Sequence, residues 1–222
     1  IINVLKIDYI LEKAGLKPVV HLVETSSRLR ALQREKIPAA QWHDSFDTVP
    51  RGFMLLAANE FFGLAREIRQ LSRTASSLFI VNDRVDIALA AQADGVHLGQ
   101  EDLPLDIARK LMGKEKIIGI STHDLAQAQE AERGGADYVG FGPIFGTSTK
   151  ETGYAARGLA MLKEIRQAVK IPIVAIGGIT ESNVAQVWEA GADAAAIISD
   201  LMGAEDVAEK VRRILSLFPA QP

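Results

Sequence analysis

A glycine-flanked loop that carries a cation has the clearest chemical potential in this chain. The run GPIFGTSTK occupies residues 142–150 and sets two hydroxyl side chains, Thr147 and Thr149, beside Lys150. Hydroxyls, backbone N–H groups and an ammonium group are the donors that phosphoryl oxygens bind. The loop lies between a short apolar segment and a helical pattern, which is where α/β enzymes place their chemistry. We interpret it as an anion site, with a solvated surface loop as the alternative.

Acidic and amide side chains follow two other short apolar segments, as Asn82-Asp83 in one place and Gln100-Glu101-Asp102 in another. Two carboxylates, an amide and water molecules can hold Mg²⁺, which takes oxygen ligands. We therefore take Asp83 and Asp102 as candidate metal ligands, and Glu101 competes with Asp102 for that role. Each aspartate is an equally apt N-cap for the helix that follows it, so capping is the alternative.

A serine and two histidines have side chains that suit ligand binding or proton transfer. Ser121 lies just beyond an apolar segment, where it either hydrogen-bonds a ligand or caps the next helix. His123 is a candidate acid–base group, because imidazole side chains suit that chemistry, with a surface histidine at a helix start as the alternative. His97 lies inside an apolar segment, so we interpret it as a packed or supporting histidine and not as a catalyst.

Small residues near the last two apolar segments indicate a second anion site. Gly177 and Gly178 allow the backbone to approach a ligand closely. The backbone N–H groups of Ile198 and Ser199 would complete a phosphate cradle with Gly178. Phosphate binding by the loops after the seventh and eighth strands recurs in α/β barrels.

These candidates all need parallel strands that end at one edge. From about residue 78 onward, short β-branched segments alternate with longer amphipathic ones, which predicts parallel βα units. The predicted strands cover 78–81, 95–98, 117–120, 138–141, 173–176 and 194–198. The predicted helices cover 85–92, 105–112, 125–133, 159–169, 183–189 and 204–217.

The first third of the chain brings the predicted strand count to eight. Eight parallel βα units in 222 residues predict an α/β protein with a closed (β/α)₈ TIM barrel, and an open doubly wound sheet is the alternative. Residues 1–16 are predicted to form an extra amphipathic helix packed on the barrel, so that 1–222 is a single domain. The upstream strands are predicted over 18–23 and 37–42, with helices over 27–36 and 59–72.

Three predicted helix-to-strand joints have similar sequences built from glycine, alanine and aspartate. Such small connectors suit a helix end that turns back into a strand, so we interpret the repetition as structural and not as a site. The joints are Ala93-Asp94-Gly95, Gly135-Ala136-Asp137 and Gly191-Ala192-Asp193.

The composition excludes several classes of partner. A net charge of −3 and a pI near 5.9, with interspersed charges, leave no basic face for nucleic acid and no polybasic membrane patch. The chain has no cysteine, which excludes disulfides and thiolate chemistry and fits a reducing cytoplasm. Its apolar runs are far shorter than the ~18 residues of a membrane span. We expect a cytoplasmic enzyme of small phosphorylated substrates, and a homo-oligomer is compatible with the sequence.

Several of these segments together resemble the thiamin phosphate synthase family of (β/α)₈ barrels. The segments are VNDRVDIALAAQADGVHLGQEDLP, IIGISTH, GADYVGFGPIFGTSTK, IPIVAIGGIT and AGADAAAIIS. The resemblance implies a transferase of thiamine biosynthesis that joins a hydroxymethylpyrimidine diphosphate to a thiazole phosphate, with Mg²⁺ and loss of pyrophosphate.

The resemblance also implies a role for each matching residue. The implied Mg²⁺ ligands are Asp83 and Asp102, and the implied pyrophosphate contacts are Asn82 and Lys150. Ser121 matches a residue near the pyrimidine and its diphosphate. Thr147 and Thr149 match thiazole contacts, and the implied phosphate cradle consists of Gly178, Ile198 and Ser199.

The first third departs from the family pattern. Members carry Gln-x-Arg-x-Lys after the second strand, whereas residues 41–45 here keep the glutamine, Gln41, and have His43 and Ser45 in place of the two cations. Loss of those cations is expected to lower the affinity for the diphosphate. Two alternatives to the synthase follow: a thiazole tautomerase with His123 as its base, and a barrel that binds a phosphorylated ligand without turnover.

Overall fold

The structure is a computed structural model that describes residues 2–5, 19–22, 51–74, 77–146 and 155–217. Eight strands of this part of the chain close into a barrel in chain order. The strands are β1 Ile2–Leu5, β2 Val19–Leu22, β3 Leu78–Asn82, β4 Gly95–Leu98, β5 Ile117–Thr122, β6 Tyr138–Phe141, β7 Ile173–Ile176 and β8 Ala194–Ile197.

The strands from β2 to β8 run parallel to one another, so their carboxyl ends meet at one end of the barrel. We call this the carboxyl end and the opposite one the amino end. The helices of the described residues are α1 Arg51–Thr74, α2 Val85–Ala90, α3 Leu105–Met112, α4 Leu125–Arg133, α5 Gly158–Ala168, α6 Val184–Glu189, α7 Ser199–Met202 and α8 Val207–Ser216.

Side chains alternate between two apolar layers because successive residues of a strand point to opposite faces. Within β3, Phe79 and Val81 belong to the outer core between strands and helices. Ile80 between them belongs to a smaller cluster inside the barrel, together with Tyr138 and Val174. The β-branched and aromatic residues of these strands are therefore buried on both faces, as parallel strands usually are.

Two glycines make room inside the barrel for larger neighbours. A Cβ on Gly119 would lie 2.0 Å from the Cζ atom of the Tyr138 ring. A Cβ on Gly140 would lie 2.9 Å from the Cε1 atom of His97. Because interiors are close-packed, no side chain fits at either position while both rings stay in place.

The three helix-to-strand joints share one arrangement, which we call the aspartate brackets. In each, one carboxylate oxygen accepts two hydrogen bonds, from an arginine in the helix before the neighbouring strand and from a backbone N–H at the start of that strand. The interpretation of these joints as structural is therefore supported. The brackets are Asp94 with Arg69 (2.7 Å) and Phe79 (2.7 Å), Asp137 with Arg109 (2.6 Å) and Ile118 (2.7 Å), and Asp193 with Arg166 (2.7 Å) and Ile173 (2.8 Å).

The predicted α/β barrel is confirmed, and the six predicted strands from residue 78 onward match β3 to β8. The prediction of a helix over 1–16 is wrong for residues 2–5, which form β1, while residues 6–16 lie outside the described residues. β1 pairs antiparallel with both β2 and β8. Four residues, of which three are apolar, carry too little periodicity to separate strand from helix, and the unpaired edges of β2 and β8 decide the outcome.

Two smaller differences concern the helices. The predicted helix over 204–217 is preceded by the separate short helix α7, and the predicted helix over 59–72 begins earlier, at Arg51. The predicted elements over 27–36 and 37–42 lie outside the described residues. In the part of the chain that the structure describes, no helix has the length and apolar character needed to cross a bilayer.

Candidate active site

The carboxyl end of β3 presents an amide and a carboxylate. Asn82 is the last residue of β3, is half-buried and pairs in register with His97 of β4. Asp83 follows with a φ of 62°, and its N–H donates to the carbonyl of His97 at 2.8 Å. This left-handed backbone is uncommon outside glycine but accessible to aspartate. It ends β3 abruptly and leaves Asp83 exposed at the rim.

The capping alternative for Asp83 is wrong, because α2 has Arg84 as its N-cap residue and no side-chain capping bond. Arg84 instead donates to the two carboxylate oxygens of Asp86 at 2.8 and 2.6 Å. That bidentate bond holds the pKa of Asp86 below its usual range. The first turn of α2 is thus served by a different carboxylate.

The capping alternative for Asp102 is wrong too, because Pro104 is the N-cap residue of α3. The Asp102 carboxylate folds back, and the N–H of Gly99 donates to its Oδ2 at 2.6 Å. Asp102 is half-buried, while its rival Glu101 is exposed. The bond to Gly99 orients the carboxylate and uses one of its two oxygens.

The two aspartates fit a hard divalent cation in chemistry. They follow adjacent parallel strands, β3 and β4, and each offers carboxylate oxygen, the ligand type that Mg²⁺ prefers. The described residues contain no group of three or more histidine, cysteine, aspartate or glutamate side chains that could hold a metal. A cation here would therefore need water or substrate oxygens as well, which is the usual state of protein-bound Mg²⁺.

Inside the barrel mouth a polar network joins three strands. The Nδ1 atom of His97 lies 2.9 Å from the Tyr138 hydroxyl, and its Nε2 atom lies 2.8 Å from the Ser121 Oγ. The two rings also stack, with centroids 5.4 Å apart. A neutral imidazole donates at one nitrogen and accepts at the other, so the ring links both hydroxyls in either tautomer.

Burial, and to a lesser degree the nearby Asp137 carboxylate, raises the pKa of Tyr138 well above its ordinary value. Its hydroxyl therefore stays protonated at neutral pH. The interpretation of His97 as a packed or supporting histidine is confirmed by its bonds to Tyr138 and Ser121, while Tyr138 is a member of this network that its place in a predicted strand did not indicate. The available signal was the period of two: His97 alternates with buried Val96 and Leu98, which belong to the outer core, so it must face the interior.

Ser121 is held from both sides and is not a cap. Its hydroxyl lies against His97, and its carbonyl accepts a hydrogen bond from the Gln100 side chain at 2.6 Å. The N-cap of α4 is Asp124, whose carboxylate accepts from the N–H of Gln127 at 2.8 Å. The capping alternative for Ser121 is therefore wrong, and its ligand contact stays a prediction.

His123 is half-buried and attached to the next loop. Its Nδ1 lies 2.6 Å from the carbonyl oxygen of Gly142, the first residue of the run GPIFG. A carbonyl only accepts, so Nδ1 carries the proton and Nε2 is the basic nitrogen of the neutral ring. The side chain is thus ordered by a partner on the neighbouring strand end.

The turn after β7 packs closely against the start of the run GPIFG. Gly177 and Gly178 have φ angles of 97° and 62°, a region that favours glycine. A Cβ on Gly178 would lie 2.5 Å from the carbonyl oxygen of Gly146. The N–H of Phe145 donates to the carbonyl of Gly177 at 3.0 Å, which joins the two loops.

The end of β8 carries the other part of the predicted cradle. Ile198 is half-buried and precedes α7, which begins at the exposed residue Ser199. The N–H groups of a helix's first turn have no partner within the helix. Because β7 and β8 are neighbours, the structure brings Gly178, Ile198 and Ser199 to the same side of the carboxyl end.

The described part of the predicted site thus forms two groups at one end of the barrel. Asn82, Asp83, Asp102 and Ser121 lie at β3 to β5, and the three cradle residues lie at β7 and β8. Four predicted site residues lie outside the described residues: Gln41, Thr147, Thr149 and Lys150.

A family model described as "Thiamine monophosphate synthase" matches residues 49–201, more than half of the chain. The thiamine-phosphate synthase of Moorella thermoacetica is 54% identical over 159 residues, covering 72% of this chain and 76% of that protein. The thiamine-phosphate synthase of Pelotomaculum thermopropionicum is 38% identical over 211 residues, covering 95% and 88%. This second alignment extends the similarity into the first third of the chain.

Among solved structures, the thiamine phosphate pyrophosphorylase of Pyrococcus furiosus superposes with a TM-score of 0.66 at 43% identity. The match covers 72% of this chain and 76% of that one. The family model, the two sequence relatives and this structure agree with one another and with the barrel. The chain therefore belongs to the thiamine monophosphate synthase family.

Proposed function

We propose that the protein is a thiamine-phosphate synthase, a transferase that joins hydroxymethylpyrimidine diphosphate to thiazole phosphate and releases pyrophosphate. The observation that carries the proposal is the arrangement of the described strand ends in a chain of this family. Paired carboxylates after β3 and β4 and a glycine turn after β7 lie at the same end of one barrel. One end can therefore hold a metal-bound diphosphate and a second phosphorylated substrate side by side.

The reaction exchanges one bond for another. The C–O bond between the pyrimidine methylene and the diphosphate breaks, and its electron pair leaves with pyrophosphate. The thiazole nitrogen then donates its lone pair to the methylene carbon, which forms the C–N bond of thiamine phosphate. No protein nucleophile takes part, so the chain contributes binding, orientation and electrostatic stabilisation.

We assign the leaving group to the β3 and β4 ends. Bound Mg²⁺ would neutralise the diphosphate oxygens as charge accumulates on them. Asp83 and Asp102 would hold that ion, and the Asn82 amide and the Lys150 ammonium would bind the same oxygens. Removing one preorganised group of this kind typically lowers the rate by ~10²–10³, which is the effect we expect for Lys150→Ala.

The pyrimidine is assigned to the mouth of the barrel. Ser121 would bind it near its diphosphate, with Gln41 as a further contact. The hydrogen bond between His97 and the Ser121 hydroxyl and the bond from Gln100 to the Ser121 carbonyl support this role, because the first orients the hydroxyl and the second holds its backbone before substrate arrives. A hydroxyl fixed in this way loses little freedom on binding.

The thiazole phosphate is assigned to the β7 and β8 ends. Gly178, Ile198 and Ser199 would bind its phosphate through backbone N–H groups, while Thr147 and Thr149 would contact the rest of the substrate. The left-handed turn at Gly177 and Gly178 supports this assignment, because a backbone without Cβ atoms can approach an anion closely. We place the reaction in the cytoplasm, consistent with a chain that has no cysteine.

The test is pyrophosphate release on mixing the protein with both substrates, with and without Mg²⁺. Release that requires both substrates and the metal supports the synthase, and shows that His43 and Ser45 are tolerated in place of the family's two cations. A folded protein that binds thiazole phosphate but releases no pyrophosphate contradicts it.

A thiazole tautomerase is the second candidate, and the geometry of His123 favours it. The bond from Nδ1 to Gly142 leaves Nε2 as the basic nitrogen of a fixed ring, which a proton-transfer base requires. Proton exchange on thiazole phosphate, measured by NMR in D₂O for the wild type and for His123→Gln, tests this candidate. Exchange that is lost in the variant would support it, and pyrophosphate release unaffected by the variant would favour the synthase.

A further inference from the structure

A partly buried ion pair joins the two loops to which we assign the thiazole phosphate. Asp200 lies one residue beyond Ser199, and its carboxylate accepts two hydrogen bonds. The N–H of Glu181 donates to Oδ2 at 2.9 Å, and the Nζ of Lys210 donates to Oδ1 at 2.7 Å. The side chains of Asp200 and Lys210 are only 20% and 15% exposed. The pair therefore connects the start of α7, the turn after β7 and helix α8.

The turn that Asp200 holds is the one that carries Gly178. Glu181 lies three residues beyond Gly178. The Asn183 side chain holds the segment between them, since its Oδ1 accepts from the N–H of Thr180 at 2.8 Å and its Nδ2 donates to the Gly178 carbonyl at 3.0 Å. The turn after β7 is therefore held by Asn183 at the start of α6 and, one residue beyond Thr180, by Asp200.

We propose that Asp200 and Lys210 are positioning residues that hold the two halves of the phosphate cradle, Gly178 and Ile198-Ser199, in register for the thiazole phosphate. The inference rests on the proposed function, because it takes the cradle as the site of that phosphate. Neither side chain is assigned a contact with the reacting atoms.

The charges of the pair predict an order of effects. Asp200 places a carboxylate beside a site for an anion, and Lys210 neutralises it. Lys210→Met leaves that carboxylate unpaired, so we expect thiazole phosphate binding to weaken about tenfold. Asp200→Asn removes the negative charge and keeps an oxygen that can accept from Glu181, so we expect a weakening of about threefold. The double variant, Asp200→Asn with Lys210→Met, should bind thiazole phosphate about as tightly as Asp200→Asn alone, and more tightly than Lys210→Met alone.

The amino end of the barrel offers a matched control. Arg69 and Asp94 form a pair of nearly the same burial, with 17% and 22% exposure, and Asp94 also accepts from a backbone N–H. Arg69→Met removes the cation beside Asp94, just as Lys210→Met removes the cation beside Asp200. Both variants are expected to lower the melting temperature, but only Lys210→Met should weaken binding of thiazole phosphate.

The experiment is calorimetric titration of each variant with thiazole phosphate, followed by steady-state kinetics with both substrates. We expect Kd and KM for thiazole phosphate to rise in Lys210→Met, while kcat and the KM for the pyrimidine diphosphate stay within about twofold of wild type. Equal effects of Lys210→Met and Arg69→Met on Kd would overturn the proposal. A double variant as weak as Lys210→Met would overturn the electrostatic part of it.

Measuring binding and turnover separately distinguishes failure of this inference from failure of the proposed synthase activity. Binding needs no turnover, so a wild type that binds thiazole phosphate without releasing pyrophosphate contradicts the synthase and still tests the pair. A wild type that binds no thiazole phosphate overturns the positioning role. If Lys210→Met does not fold, Asp200→Asn and the double variant decide between the outcomes.

Discussion

At the amino end of the barrel every bracket aspartate binds both an arginine and a backbone N–H, whereas Asp102 at the carboxyl end binds the N–H of Gly99 and no described cation. The bracket aspartates and Asp102 are thus one residue type with opposite charge balance. A carboxylate that the fold already neutralises contributes to stability, while one that the fold leaves negative attracts a cation from solution. The contrast between the ends of the barrel points to the site more directly than any single motif does.

The largest effect should come from removing the negative charge of Asp102. We expect Asp102→Asn to lower pyrophosphate release by ~10²–10³ while the unfolding free energy stays the same or rises, because the variant keeps an acceptor for Gly99 and loses a charge that no described cation neutralises. Steady-state rates at several Mg²⁺ concentrations and urea unfolding measure the two quantities. A variant that is less stable and keeps the wild-type rate would show that Asp102 serves stability, as the bracket aspartates do, and not catalysis.

The interior between the two ends is the next place to test. Gly119→Ala would set a Cβ 2.0 Å from the Cζ atom of Tyr138 and displace the ring from His97. We expect a loss of about 1–3 kcal/mol in the unfolding free energy from overpacking. Gly113→Ala is a poor control because its φ is 77°, whereas Gly63→Ala meets nothing within 4 Å and should destabilise little if at all.

An unchanged stability of Gly119→Ala in urea unfolding would contradict the close packing of the barrel interior. Pyrophosphate release by the folded fraction should also fall. A displaced Tyr138 ring no longer holds His97, and His97 is the neighbour that orients the Ser121 hydroxyl. Activity at the wild-type level would show that the network from Tyr138 through His97 to Ser121 does not matter for catalysis.

Substitution of a bracket aspartate at the amino end should lower stability and leave the rate unchanged, the opposite of what we expect for Asp102. We expect Asp193→Ala to lower the unfolding free energy by about 1–3 kcal/mol, since the N–H of Ile173 and the Arg166 guanidinium lose their shared acceptor. The rate per folded molecule should stay at the wild-type level at 25 °C. Urea unfolding and active-site-normalised rates provide the comparison, and a selective loss of rate without loss of stability would contradict it.

The smallest effect concerns a single carboxylate and its pH dependence. The N–H groups of Lys170 and Ile171 donate to Glu132, and the bond from Lys170 is the main reason that the pKa of Glu132 lies below its ordinary value. A carboxyl group with a lowered pKa stabilises the fold at pH values above its pKa in the unfolded chain. This contribution is lost as the pH falls through its pKa in the folded protein.

Glu132→Gln should therefore lower the melting temperature most at neutral pH, and the difference from wild type should shrink on acidification below about pH 4.5. The effect should stay below about 1 kcal/mol because solvent screens this partly exposed side chain. Thermal unfolding of both proteins between pH 3 and 7 measures it, and a difference that grows toward acid would have the wrong sign.

Local patterns were enough for much of the fold. The segments β3 to β8 are short, mostly apolar and separated by helical periodicity, and their predicted bounds lie within two residues of the observed ones. The sequence was insufficient for β1, whose pairing depends on the edges of two strands far from it in sequence. It also left Asp83, Asp102 and Ser121 divided between capping and ligand roles. The positions of Arg84, Pro104 and Asp124 as N-caps exclude capping, while the ligand roles stay predictions.

By itself, the sequence determined the order of strands and helices from β3 onward, the strand ends that carry polar residues and the family to which the chain belongs. These properties follow from periodicity, turn residues and motifs, which are local in the chain. The tertiary structure decided which polar groups meet: His97 with Tyr138 and Ser121, and Asp200 with Lys210 and Glu181. Closing the barrel sets those partners by strand register and helix packing, and neither is encoded in the spacing of the residues along the chain.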